Sequence, residues 1–146
     1  MADIQRTADA IWNGDLRGGN GQLSTQSGTL DTTPYAFASR FEHGQGTNPE
    51  ELLAAAHAGC FSMAFAATLS RKGFKPESIH THATCSLSPQ QPTGFKITKM
   101  LLKTEGRVPE IDEAAFKEIA TEVGDTCLVS QVLTGLEIEV EASLLT

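Results

Sequence analysis

The segment from Thr47 to Phe74, TNPEELLAAAHAGCFSMAFAATLSRKGF, constrains the fold more than any other part of the chain. Thr47 or Asn48 offers an N-cap, and Pro49 suits the first helical position. Glu50 and Glu51 favour the positive end of a helix dipole. Lys72 and Gly73 mark the far end. The spacing predicts one helix of about 23 residues, or roughly 35 Å. Its middle is apolar or small on every side, and such a helix must be covered all round. The remaining short strands offer little material for that, so a second subunit is expected to supply part of the cover. The longest apolar stretch, Leu52 to Leu69, is rich in Ala and broken by His57, Gly59, Ser62 and Thr68. It reads as a buried helix rather than a membrane span.

The rest of the chain supplies strands and one more clear helix. Ala8 to Trp12, Gln22 to Gln26 and Tyr35 to Phe41 read as strands, with Gly-rich turns between the first two and SGTLDTTP before the third. In the third, alternation would put Arg40 opposite the aromatic residues. Ser78 to Leu87 and Phe95 to Val108 alternate as a strand pair. A second helix follows, capped by Asp112 and ended by Gly124, with Phe116, Ile119 and Val123 on its apolar stripe. CLVSQVL (Cys127 to Leu133) is a short apolar turn of helix, and Leu136 to Leu144 is a closing strand. The order βββ-α-ββ-α-β defines an α+β fold with an antiparallel-rich sheet, expected as a single domain over residues 1–146.

Charge and cysteine count narrow the function. A net charge of −7 disfavours nucleic acid and anionic membranes as partners. The start, MADIQRTADAIW, lacks the pattern of a secretory signal, so a cytoplasmic, reducing setting is expected. Three distant cysteines with no CxxC or CxxH pair make neither a disulfide scaffold nor a zinc framework.

Each cysteine therefore has two readings. Cys60 lies mid-helix among small residues: it is either an inert core residue or a thiol with room for a substrate. Cys127 follows Gly-Asp-Thr: it is either an ordinary packed cysteine or a thiol whose thiolate helix-N-terminal amides would favour. Cys85 shares the apolar strand face of Thr81, Ala83 and Leu87 and reads as packing. His57, three residues before Cys60, is either a packing residue or a base for a cysteine hydrolase. His80 and His82 share a strand face but lack a third metal ligand. A non-catalytic binding or structural dimer also stays open.

One resemblance bears on these choices. The block GTNPEELLAAAHAGCFSMAFA, with WNGD at Trp12 to Asp15, PYAFASRFE, GFKITKMLLK and CLVSQVL, resembles the osmotically inducible protein C / organic hydroperoxide resistance (OsmC/Ohr) family, and its OsmC branch in particular. The resemblance implies an intertwined homodimer with active sites at the subunit interface. It implies a thiol peroxidase acting in oxidative and osmotic stress, in which Cys60 attacks an organic or hydrogen peroxide and Cys127 resolves the sulfenic acid to a disulfide. A dithiol reductant of the lipoyl type would reset the pair. Arg40 would stabilise the Cys60 thiolate and Glu50 would orient Arg40; no cofactor is implied. Two departures stand out. The stretch GGNGQLS carries no Arg where the Ohr branch has one, with Arg17 lying slightly earlier, and Leu128 follows Cys127 where Pro is more usual.

The chemistry explains the set. A thiolate attacks peroxide, yet an apolar helix middle disfavours it, so a cation is needed. An Arg stays charged, and a carboxylate fills its spare donors. Ala56, Met63 and the phenylalanines would favour an apolar peroxide.

Overall fold

A computed structural model describes residues 1–146. The chain forms two compact units, Met1–Leu52 and Leu53–Thr146.

The first unit is built on a three-stranded antiparallel sheet of β1 (Ala8–Asn13), β2 (Asn20–Thr25) and β3 (Thr33–Tyr35). Trp12 faces Gly21 across β1–β2, and Gly21 faces Tyr35 across β2–β3. A Cβ on Gly21 would lie 2.4 Å from the Tyr35 ring, so glycine there admits the Trp12–Tyr35 ring pair, whose centroids are 5.3 Å apart. The β1–β2 turn is closed by Asp15, whose carboxylate accepts from the Arg17 and Gly18 amides. Those amides hold the Asp15 carboxyl below its usual pKa.

After Tyr35 the structure departs from the expected strand. Residues Phe37–Phe41 form a short helix, α1. Phe37 and Phe41 fit a strand's period of two, but they also sit four apart, and in the helix their rings meet at 4.9 Å. Ser39 decides the matter locally. Its hydroxyl accepts from the Ala36 amide and lies 2.8 Å from the Thr47 carbonyl, fixing a turn where a strand would run straight. Arg40 consequently does not oppose the aromatics; its guanidinium lies 5.1 Å from the Phe41 ring centroid.

Helix α2 (Pro49–Arg71) has the expected limits. Asn48 is the cap, its Oδ1 accepting from the Glu51 amide at 2.8 Å. Gly73, at φ +93°, lets the chain leave the helix in the left-handed region. By length and composition alone α2 could cross a membrane. In this fold Phe61, Phe65 and Leu69 are fully buried, whereas Ala55, Ala56, Gly59, Met63 and Ala67 are exposed.

The second unit carries a sheet of β4 (Ser78–Pro89), β5 (Phe95–Arg107) and β6 (Glu137–Leu144). β4 and β5 are antiparallel, and β6 joins β5 in parallel. Helix α3 (Glu113–Thr126) starts at Asp112, whose side chain accepts from the Ala115 amide. Its buried Phe116, Ile119, Ala120 and Val123 meet Phe61, Phe65 and Leu69 of α2 and Met100 and Leu102 of β5 in one core. The Phe65 and Phe116 rings are 4.9 Å apart. Gly124 does not end α3; the helix passes through it to Thr126. Glycine is there for close packing, since a Cβ would lie 2.6 Å from Val140 Cγ2 on β6. Cys127 ends α3 and begins the five-residue α4 (Leu128–Val132).

Candidate active site

The core of the second unit brings two cysteines together from distant parts of the chain. Cys60 is on α2 and Cys127 lies at the α3–α4 junction, 67 residues on, and their sulfurs are 3.2 Å apart. Both are reduced. A disulfide needs roughly 2.05 Å, so a shift of about an ångström closes the bond. Cys127 is 2 % exposed and Cys60 is half-buried, which leaves Cys60 the sulfur that a small molecule can reach. Cys85 is elsewhere, on β4 opposite Met100 and packed against the core.

Burial is the largest influence on the Cys60 thiol and pushes its pKa up. The main-chain N–H groups of Val129 and Leu128 pull it down, and the neighbouring Cys127 pushes it up. These are the amides at the start of α4. The sequence placed them against Cys127, whereas the fold points them at Cys60. Leu128 is thereby informative: proline at this position has no N–H to give. The side chain of Leu128 itself is 73 % exposed.

His57 does not serve Cys60. It is fully buried, and its Nε2 lies 2.7 Å from Ser130 Oγ on α4. Burial lowers the pKa of the imidazole, so it is neutral. With Nε2 on Ser130 and Nδ1 bonded to nothing, no ring nitrogen of His57 reaches Cys60 as the base of a cysteine hydrolase would. Ser130 carries no local motif in the sequence. The available signal was symmetry, because His57 precedes Cys60 by three residues and Ser130 follows Cys127 by three.

Arg40 and Glu50 meet within the first unit. Arg40 Nε and Nη2 donate to the Glu50 carboxylate, Nη2 at 2.8 Å from Oε1 and Nε at 3.1 Å. The pair follows from the fold: α1 presents Arg40, and the first turn of α2 presents Glu50 to both the guanidinium and the helix dipole. The Glu50 side chain is 9 % exposed and that of Arg40 41 %. Arg40 also lines a cavity of about 270 Å³ with Trp12, Tyr35, Phe37 and Phe41. Arg17, the other candidate, stacks over Phe37 with its Cζ 4.8 Å from the ring centroid. In the second unit, His80 pairs with Glu105 at 3.2 Å and His82 faces Lys103 across the strands.

Two thiols in contact, one buried and one half-buried, on an α+β scaffold of this topology define a class, and comparison with known proteins identifies it. Residues 42–142 match the family model described as OsmC-like protein. Peroxiredoxin OsmC of Escherichia coli (strain K12) is 49 % identical over 130 residues, covering 89 % of this chain and 90 % of that protein. Organic hydroperoxide resistance protein OhrB of Bacillus subtilis (strain 168) is 26 % identical over 120 residues, covering 82 % and 86 %. The crystal structure of OhrB from Bacillus subtilis has a TM-score of 0.69 at 22 % identity and covers 94 % of this chain and 98 % of that one. An OsmC-like protein from Mycoplasma pneumoniae gives 0.75 at 18 % identity, covering 99 % and 100 %. The chain belongs to the OsmC family and has the α+β OsmC/Ohr fold.

Proposed function

We propose that this chain is a thiol peroxidase that reduces organic hydroperoxides, with Cys60 as the attacking residue and Cys127 as the resolving one. The observation that carries the reading is the 3.2 Å approach of the two sulfurs, one buried and the other reachable. The Cys60 thiolate attacks the terminal peroxide oxygen and the O–O bond breaks. Sulfur is oxidised by two electrons to the sulfenic acid, and the peroxide leaves as an alcohol after taking a proton. Cys127 then attacks the Cys60 sulfur, the S–S bond forms, and the S–OH oxygen leaves as water. A dithiol of the lipoyl type resets the pair by exchange.

Arg40, braced by Glu50, supplies the positive charge that offsets the burial of the thiolate. We take the two units as parts of one OsmC-like domain acting in the cytoplasm in peroxide stress. A second copy covers the exposed Ala55, Gly59, Met63 and Ala67 face of α2, which sedimentation velocity reads as a dimer. The test of the mechanism is peroxide consumption with cumene hydroperoxide and a dithiol reductant. Cys60→Ser should abolish it. Without reductant, one equivalent of peroxide should leave a Cys60–Cys127 disulfide in the native chain and a trappable Cys60 sulfenic acid in Cys127→Ser. A lasting Cys60 sulfenic acid beside a free Cys127 in the native chain would refute the disulfide route.

A further inference from the structure

The His57–Ser130 hydrogen bond has no part in the steps just described, yet it spans the site. It joins α2 to α4 over 73 residues of chain, and it flanks the thiol pair three residues away on each side. Helix α4 is only five residues long and gains little from its own hydrogen bonds. Two of its apolar side chains, Leu128 at 73 % and Val132 at 75 % exposed, contribute little burial. Val129 and Leu133 pack partly against the core, and Ser130 is buried. The polar bond from Ser130 therefore does much of the work of fixing where α4 lies on α2.

His57 makes a costly core residue. It is fully buried, and its Nδ1 has no hydrogen-bond partner. An orphaned buried N–H is worse than an unfilled lone pair, so the proton sits on Nε2 and is donated to Ser130 Oγ. A leucine would fill an apolar helix face without leaving a polar atom stranded. The arrangement makes sense if the position of α4 matters more than the stability lost.

We infer that the His57–Ser130 bond is a clasp that holds α4, and with it Cys127, against Cys60, so that both residues are positioning residues for disulfide closure. The clasp acts on the second step, in which Cys127 displaces the sulfenic oxygen as water. It acts less on the first, in which peroxide meets Cys60. This inference deepens the peroxidase reading and rests on it for its role in turnover, but the clasp itself concerns the geometry of two thiols.

The test uses the reduced full-length chain and two measurements. In the first, one equivalent of cumene hydroperoxide is added, a dimedone-type trap quenches at intervals, and mass spectrometry counts sulfenate adduct against Cys60–Cys127 disulfide. Ser130→Ala should slow closure about tenfold, the effect of one buried hydrogen bond, while Cys60 oxidation stays within about threefold. His57→Leu should do the same. Ser130→Thr keeps the hydroxyl, and His57→Gln keeps an N–H donor near Nε2; both should recover most of the rate. A merely structural role would lower the melting temperature of Ser130→Ala without changing this partition in folded protein. In the second, glutathione redox buffers read the effective concentration of the thiol pair without any peroxide, and Ser130→Ala should lower it about tenfold. Native values for Ser130→Ala in the redox buffers would overturn the clasp. A normal clasp effect there, with no oxidation of Cys60 by peroxide in the native chain, would instead overturn the peroxidase reading.

Discussion

Removing either partner of the Arg40–Glu50 pair should destabilise the protein unequally, with Arg40 the more costly loss. The asymmetry comes from exposure: the Glu50 side chain is 9 % exposed and the Arg40 side chain 41 %. Arg40→Met keeps a stem beside Phe41 but leaves a nearly buried carboxylate without its counterion. Breaking a fully buried pair costs about 3–5 kcal/mol. Here one partner is open to water, and the α2 dipole still favours the carboxylate, so about 2 kcal/mol is expected. Glu50→Gln leaves a guanidinium that water can solvate and an amide oxygen that still accepts, for about 1 kcal/mol. The double variant should lose about 1 kcal/mol less than the sum, because each single change strands the other group. Urea unfolding with an unchanged slope measures all three, and Arg40→Met should also lower the melting temperature by about 4–8 °C. An equal or larger loss for Glu50→Gln, or strict additivity, would refute the reasoning.

Three further outcomes follow from the geometry. Gly124→Ala should destabilise by about 1–2 kcal/mol in urea titrations, although alanine favours helices, because its Cβ would meet the stiff Val140 side chain at 2.6 Å; adding Val140→Ala should relieve the clash. Leu128→Pro should keep the fold, since Leu128 starts α4 and Cys127, at φ −56° and ψ 136°, already has the conformation that precedes proline. It deletes an amide donor to Cys60, so the Cys60 thiolate titration at 240 nm should move to higher pH, and an unchanged titration would count against that amide. The folded pKa of His57 lies below its unfolded value, so the unfolded chain takes up the proton first as pH falls. Its contribution is intact above about pH 6.5 and is lost progressively below that, so stability should fall with acid more steeply in the native chain than in His57→Gln.

How much was legible depended on whether local signals had one meaning. The limits of α2 were readable because Asn48, Pro49 and Gly73 each act on the neighbouring backbone. Asp112 and the alternating strands of the second unit were readable for the same reason. Helix α1 was not, because Phe37 and Phe41 satisfy both periods and the deciding bond, Ser39 to the Thr47 carbonyl, is tertiary. Gly124 looks like a helix end in sequence because the reason for it, Val140, is sixteen residues away on β6.

The site divides in the same way. Motif resemblance singled out Cys60, Cys127, Arg40 and Glu50, and the fold pairs the first two and the last two within their own units. Ser130 has no local signature, being a serine in a short apolar turn, and the α4 amides point in sequence to the adjacent Cys127 rather than to Cys60. Only the packing of α4 on α2 gives the serine His57 as a partner and directs the Leu128 and Val129 amides to Cys60.

The central claim is that Cys60 and Cys127 form one redox unit. Non-reducing peptide mapping after one equivalent of an alkyl hydroperoxide tests it most directly. The account predicts a single new crosslinked peptide joining Cys60 to Cys127 of the same chain, with Cys85 still alkylatable after unfolding. Cys60 recovered as a free thiol, or joined to Cys85, would contradict it.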